Sequence, residues 1–304
     1  MKKILLATTF LIATFGSATA EVTIGGSGLF GVLGEDNGGG SETTIFTRLR
    51  FNIDARTETD SGVVLGGRIR MQSISGDYSV SVGYAQLNAA MLFLTVDRLR
   101  VEVGNASGAY GAAGLLYNCE IGLIGTCFGG AMGPSMGYES LPYGSHPDQM
   151  GMFVSYSAGN FTGRLSYHDT DQLGGGVTEY SETSASADWS SNGLSVSAAA
   201  VSRNTATGNV DHHFVGVAYA PDENSRIGLN YFGGDPGERF TIYGDHTLAG
   251  GLTLSGYVSD DSNDSDTAIG IGASYSLGGG ADVKASYNTE GSLSRADFGI
   301  SFRF

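Results

Sequence analysis

The chain closes on RADFGISFRF, Arg295 to Phe304, and period-two alternation sorts these residues into two faces. Ala296, Phe298, Ile300, Phe302 and Phe304 share one face; Arg295, Asp297, Ser301 and Arg303 share the other. A soluble domain has little use for a strand that stays aromatic to its last residue. A strand with lipid or a partner barrel on one side and water on the other has this pattern.

The same alternation recurs upstream. In IFTRLRFNIDAR, Ile45, Leu49, Phe51 and Ile53 oppose Arg48, Arg50, Asn52 and Asp54; in VVLGGRIRMQ, Leu65, Ile69 and Met71 oppose Arg68, Arg70 and Gln72. A first segment near Val22 to Leu33 turns Val22, Ile24, Phe30 and Val32 one way. A fourth, Ala85 to Val96, ends at a tight turn at Asp97 and Arg98, and a fifth, LRVEVGN, sets Leu99, Val101 and Val103 against Arg100 and Glu102. From GMFVSYSAG onward eleven further segments follow, ending on the final strand. Short connections (SAGN, SSNG, PDEN) alternate with longer polar ones (DTDQLGGGVT, SRNTATGNV, FGGDPGE, SDDSNDSD), and GEDNGGGSE reads as a Gly-rich acidic loop after the first strand. This rhythm predicts an all-β fold, a 16-stranded antiparallel transmembrane β-barrel with short turns at one end and long loops at the other. A soluble sandwich or repeat adhesin also uses segments of this length. Mid-strand Arg, Asp, Glu, Ser and Asn weigh against it, as do aromatics placed for interfacial girdles, namely Tyr156, Tyr167, Trp189, Tyr219, Tyr231 and Tyr275.

The amino terminus sets the compartment. MKKILLATTFLIATFGSATA has basic Lys2 and Lys3, an apolar run and Ala18-x-Ala20, so residues 1–20 read as a signal peptide and 21–304 as the barrel. Losing the two lysines leaves 14 basic residues against 31 acidic ones, a net charge of −17. Nucleic acid is therefore a poor partner. Glycine at 49 residues with only 5 prolines fits close backbone approaches and sharp turns rather than a helical chain.

Arg48, Arg50, Arg68 and Arg70 share one face of two adjacent strands, and Arg100 joins them by the same alternation. With Leu49, Phe51, Ile69 and Met71 meeting lipid, the guanidinium face is the lumen. Either these arginines merely solubilise the wall or pair with carboxylates, or they form one side of a selective constriction. Cys119 and Cys127, in NCEIGLIGTCFGG of an exported chain, read as a disulfide; a zinc or redox pair is the alternative, poorly served by this spacing without a nearby histidine. Five scattered histidines and no nucleophile elbow argue against an enzyme. An exported adhesin or ligand-binding surface protein without a conducting pore is the competing function.

SETTIFTRLRFNIDARTETDSGVVLGGRIRMQ, LRVEVGNASGAYG, ADWSSNGLSVSAAAV and ADFGISFRF together resemble the general porins of the Rhodobacter type, across essentially the whole mature chain. The resemblance implies a homotrimer of barrels in the outer membrane of a Gram-negative bacterium, in contact with its lipid and lipopolysaccharide. Each barrel would carry a water-filled channel for passive diffusion of small hydrophilic solutes and ions. It places a long third external loop, about residues 106–149, folded inside the lumen, where Glu120, Glu139 and Asp148 would oppose the arginines and Cys119–Cys127 would staple the loop. Mild cation preference follows from the acidic surplus. No cofactor is required. Calcium enters with the resemblance as an ion for acidic runs such as Asp169, Asp171, Asp260, Asp261, Asp264 and Asp266, although no metal ligand set can be assigned. Small residues Gly26 and Gly28 suggest a face where barrels approach, and the terminal Phe304 resembles the assembly signal of outer-membrane barrels. One departure stands out: position 29 is Leu where a basic lumen residue belongs.

Overall fold

The computed structural model describes residues 20–304 apart from 77–81, 132–134, 144–147, 174–179, 236 and 263–265, with the side chains of residues 82 and 83 also left out. The signal peptide expected over residues 1–20 therefore lies outside the described residues except for Ala20. The strands are β1 (Glu21–Asn37), β2 (Ser41–Glu58), β3 (Val64–Ser75), β4 (Val82–Leu87), β5 (Met91–Val96), β6 (Leu99–Gly104), β7 (Met150–Ala158), β8 (Phe161–Asp169), β9 (Ser181–Ser191), β10 (Leu194–Thr205), β11 (Gly208–Tyr219), β12 (Ser225–Gly234), β13 (Glu238–Thr247), β14 (Leu252–Asp261), β15 (Ala268–Gly278), β16 (Ala281–Glu290) and β17 (Leu293–Arg303).

Apart from β4 and β5, each strand pairs antiparallel with its sequence neighbour, and β1 pairs with both β2 and β17, so the sheet closes on itself. β4 and β5 both pair with β3 and share one position, which makes sixteen positions around the barrel. The expected fourth segment is thus broken. Arg68 faces Met91 and Met71 faces Leu87, so this strand carries one extra residue opposite β3. Asn88 fills the break: its backbone N–H donates to Arg70 O, and its side-chain oxygen accepts from Arg70 N at 2.6 Å.

Closure explains the inverted burial. Ile45 (77 % exposed), Ile24, Leu165 and Ile271 point outward, while Ser166, Glu182, Asn230, Thr241, Asn288 and Asp297 are buried inside. With no free edge, every strand can satisfy its backbone within the sheet and still present an apolar exterior to hydrocarbon. Tyr156, Phe161, Trp189, Tyr219 and Tyr275 are exposed on the outer face near the end that carries the chain termini.

Several expected loops are strand. GEDNGGGSE reduces to a turn at Gly38–Gly40, with Gly38 at φ 80° and its N–H held by Asp36. SRNTATGNV reduces to Ala206–Thr207, and Asp260 and Asp261 belong to β14, Asp261 pairing with Arg239. These strands run beyond the length needed to cross a bilayer. Both faces there are polar, so alternation no longer separates strand from loop. Asp264 lies outside the described residues.

Gly26 and Gly28 are not an open face for a neighbouring barrel. The Phe304 and Phe302 rings of the same chain lie over them, close enough that a β-carbon at either glycine would collide. Gly26 and Phe304 also exchange two backbone hydrogen bonds, at 2.8 and 3.1 Å, and the Phe304 ring meets Phe51 edge-on at 5.3 Å. The chain terminus therefore seals the seam between the first and last strands.

Candidate functional site

The segment between β6 and β7 leaves the wall at Gly104 (φ 93°) and passes through the barrel interior. Irregular backbone there needs partners, because its N–H groups are otherwise lost to a confined space. Inward side chains supply them. Ser166 accepts from Ala109 N, Ser184 from Tyr110 N, Asp188 from Gly114 N, Ser197 from Leu115 N, Tyr257 from Phe128 N and Asp297 from Leu123 N, at 2.8–3.1 Å. These acceptors sit on β8, β9, β10, β14 and β17, so the loop follows the inner wall around much of the barrel. Tyr110, Leu115, Leu116 and Ile121 then pack on inward Val201, Phe214, Phe232, Tyr243 and Tyr257.

Cys119 and Cys127 are bonded, with Cα atoms 5.7 Å apart, and they bracket a finger closed by the Ile121–Thr126 bridge. At its tip Leu123 enters an apolar socket of Leu29, Leu33, Phe46 and Ile74. Leu29, the departure noted above, is 6 % exposed and faces inward opposite Arg48. It trades a wall charge for a seat under the finger. The return limb is anchored by Glu182, which accepts from Met136 N at 2.7 Å, and by Asn105, which exchanges hydrogen bonds with the Glu139 backbone.

The five arginines divide into two kinds. Arg68 pairs with Asp54 at 2.7 Å, and Arg100 with Glu102 at 2.7 Å while lying over the Phe93 ring. Arg48, Arg50 and Arg70 have neutral register partners: Leu29 and Ile74, Ser27 and Gln72, and Asn52. Arg50 donates to Gln72 at 2.6 Å; Arg70 donates to Asn52 and to the loop hydroxyl of Ser140, and stacks on Tyr138. Arg70 thus touches the loop, at Ser140 and Tyr138.

The loop acids are dispersed. Glu120 lines a cavity of about 380 Å³ with Arg48, Arg295 and Tyr117. It is open to lumen water, yet the surrounding loop and wall strip enough hydration to push its carboxyl up to about 7. Glu139 lines a separate cavity with Tyr138 and Met136, and burial raises its carboxyl too. Asp148 sits half-buried just before β7, and among the described residues no contact joins it to the arginines.

Reading the sequence alone placed Arg295 on the wet face of the last strand but missed the rest of a second set of lumen arginines and the partners of all of them. Arg203, Arg226, Arg239 and Arg295 face Glu182, Asp245, Asp261 and Glu35 directly across neighbouring strands, and each pair is bonded. Arg164 pairs diagonally with Asp188. Their signal was the same inward alternation, but only register identifies the partner.

A family model for Gram-negative porins matches residues 7–297. The chain is 36 % identical over 296 residues to the porin of Fuscovulum blasticum, covering 93 % of this chain and all of that one. Solved structures of engineered mutants of the Rh. blastica porin superpose with a TM-score of 0.85 at 32 % and 34 % identity, covering 93 % of this chain and all of theirs. An inside-out barrel, a loop bound along its inner wall and this likeness across nearly the whole length agree. The chain belongs to the Gram-negative porins, outer-membrane channels for the passive diffusion of small hydrophilic solutes, and is not an enzyme.

Proposed function

We propose that the narrowest part of the channel works by a transverse field, with Arg48, Arg50, Arg68, Arg70 and Arg100 on one side and Glu120, Glu139 and Asp148 on the other. The observation that carries this reading is that Arg50 and Arg70 face Ser27, Gln72 and Asn52 across the sheet rather than carboxylates, which leaves their stretch of wall locally cationic. Such a field orients polar solutes and penalises apolar ones, which must shed water between the charges. Net charge then tips ion traffic mildly toward cations. Reversal potentials across planar bilayers under a salt gradient test this: a small cation preference is expected, and clear anion selectivity would overturn it.

The same reading includes export and assembly. Residues 1–20 act as the export signal, so the mature protein should begin at Glu21 on terminal sequencing. Phe304 acts as the assembly signal, and its removal takes away two seam hydrogen bonds together with the ring over Gly26. Deleting Phe304 should sharply lower the yield of heat-modifiable barrel; normal yield would refute the role. The barrels assemble as homotrimers among lipid and lipopolysaccharide, so gentle detergent should release a species of three chains. Conduction needs no cofactor. Calcium binds weakly to rim carboxylates including Asp169, Asp171 and Asp266, so chelation should lower the dissociation temperature of the oligomer, and an unchanged temperature would remove this role.

A further inference from the structure

The cavity that holds Glu120 has a chemistry that sieving by size does not require. It opens between β2, β17 and the loop finger, with Arg48 and Arg295 on the strand side and Tyr117, Glu120, Ile124 and Phe128 on the loop side. At about 380 Å³ it is as large as small-ligand sites that combine apolar walls with a few polar groups.

Three features separate it from ordinary loop packing. Tyr117 is 47 % exposed although Phe46, immediately behind the cavity, is 1 % exposed and already committed to the Leu123 socket. Glu120 has no cation within 4 Å among the described residues, so its charge is not used to hold the loop. Its backbone adjoins the disulfide at Cys119, and its carboxylate lies beside Gly125, where a β-carbon would meet a carboxylate oxygen at 2.9 Å. The result is an apolar and aromatic surface next to charges of both signs, open to pore water.

We infer that this cavity is a weak binding site for zwitterionic solutes that carry an aromatic or large apolar group, such as α-amino acids and dipeptides of that kind. Glu120 takes the ammonium and Arg48 the carboxylate, while Tyr117, Ile124 and Phe128 take the side group. Charge-assisted contacts and aromatic area supply the preference, and access to pore water keeps dissociation fast enough for passage. The inference rests on the channel reading above and adds a solute preference to it.

Single-channel recording in potassium chloride tests it, with phenylalanine, glycine and phenethylamine as probes. Phenylalanine should produce saturable interruptions of the current, with glycine silent at the same concentration. Glu120→Gln and Tyr117→Ala should each weaken the apparent affinity for phenylalanine about tenfold, the scale of losing one charge-assisted contact or one aromatic face. Glu120→Asp should restore most of it. Regular conductance steps with phenylalanine and glycine indistinguishable, or block unchanged in both variants, would overturn the site. Equal block by phenethylamine would overturn the role of Arg48. A chain giving no conductance steps would overturn the channel reading, and this site with it.

Discussion

The wall of β2–β3 and the wall of β9–β17 use the same side chain for different ends. On β9–β17, Arg203, Arg226, Arg239 and Arg295 each meet a carboxylate directly across the sheet, so the lumen there is dense in charge but locally neutral. On β2–β3, Arg48, Arg50 and Arg70 stand opposite Leu29, Ile74, Ser27, Gln72 and Asn52. Each wall carries five arginines, so counting them does not separate the two, whereas register does. A field in a pore depends on which charges face an opposite charge across the sheet, and that is a property of register.

The sharpest break of this contrast is in stability. Arg203→Gln strands Glu182, whose side chain is 0 % exposed and which also holds Met136 of the returning loop. A buried charge robbed of its partner costs about 3–5 kcal/mol. Arg50→Gln removes one hydrogen bond to the buried but neutral Gln72, which the new amide can partly replace, and costs about 1 kcal/mol. Heat-induced unfolding in detergent should therefore fall by many degrees for the first variant and far less for the second. Equal losses would mean that register pairing does not distinguish the walls.

Selectivity sharpens the contrast from the other side. Replacing Arg48, Arg50 and Arg70 together by Gln removes three charges, each worth roughly 0.15 kcal/mol to an ion about 10 Å away in salt of about 0.1 M and of opposite sign for cation and anion, so the cation-to-anion permeability ratio should rise about fivefold. The double change Arg226→Gln with Asp245→Asn removes a matched pair. It should leave the ratio where it was, and a shift comparable to the triple variant would sink the argument.

How far this was legible beforehand follows the same division. Alternation placed Arg48, Arg50, Arg68, Arg70 and Arg100 on the inner face and Phe298 and Phe304 on the outer one, because that period is local. It could not find Glu182 opposite Arg203, since 21 residues separate them and one slip of register would change the partner. Nor could it see that Ser166, Ser184 and Ser197 clasp loop N–H groups, because a small polar residue facing water looks the same as one facing backbone. Gly26 and Gly28 misled for a related reason: a glycine marks a close approach without saying what approaches, and here it is the chain's own Phe302 and Phe304.

The smallest expected effect tests the loop's side of the field. A carboxyl raised to about 7 is charged above that pH and neutral below it, so Glu120 contributes its negative charge at pH 8 and has mostly lost it at pH 6. The arginines opposite keep their charge throughout. Cation preference should therefore fall as pH drops through 7, by somewhat under about twofold for one charge at roughly 10 Å once salt of about 0.1 M screens it. Glu120→Gln should give the low-pH ratio at every pH. Glu139 is raised as well, so a residual slope in that variant, removed by adding Glu139→Gln, would assign the remainder to the second loop acid. A ratio flat from pH 8 to 6 in the unaltered protein would place Glu120 outside the conducting path, and the arginine wall of β2–β3 would then act without an opposite pole at that position.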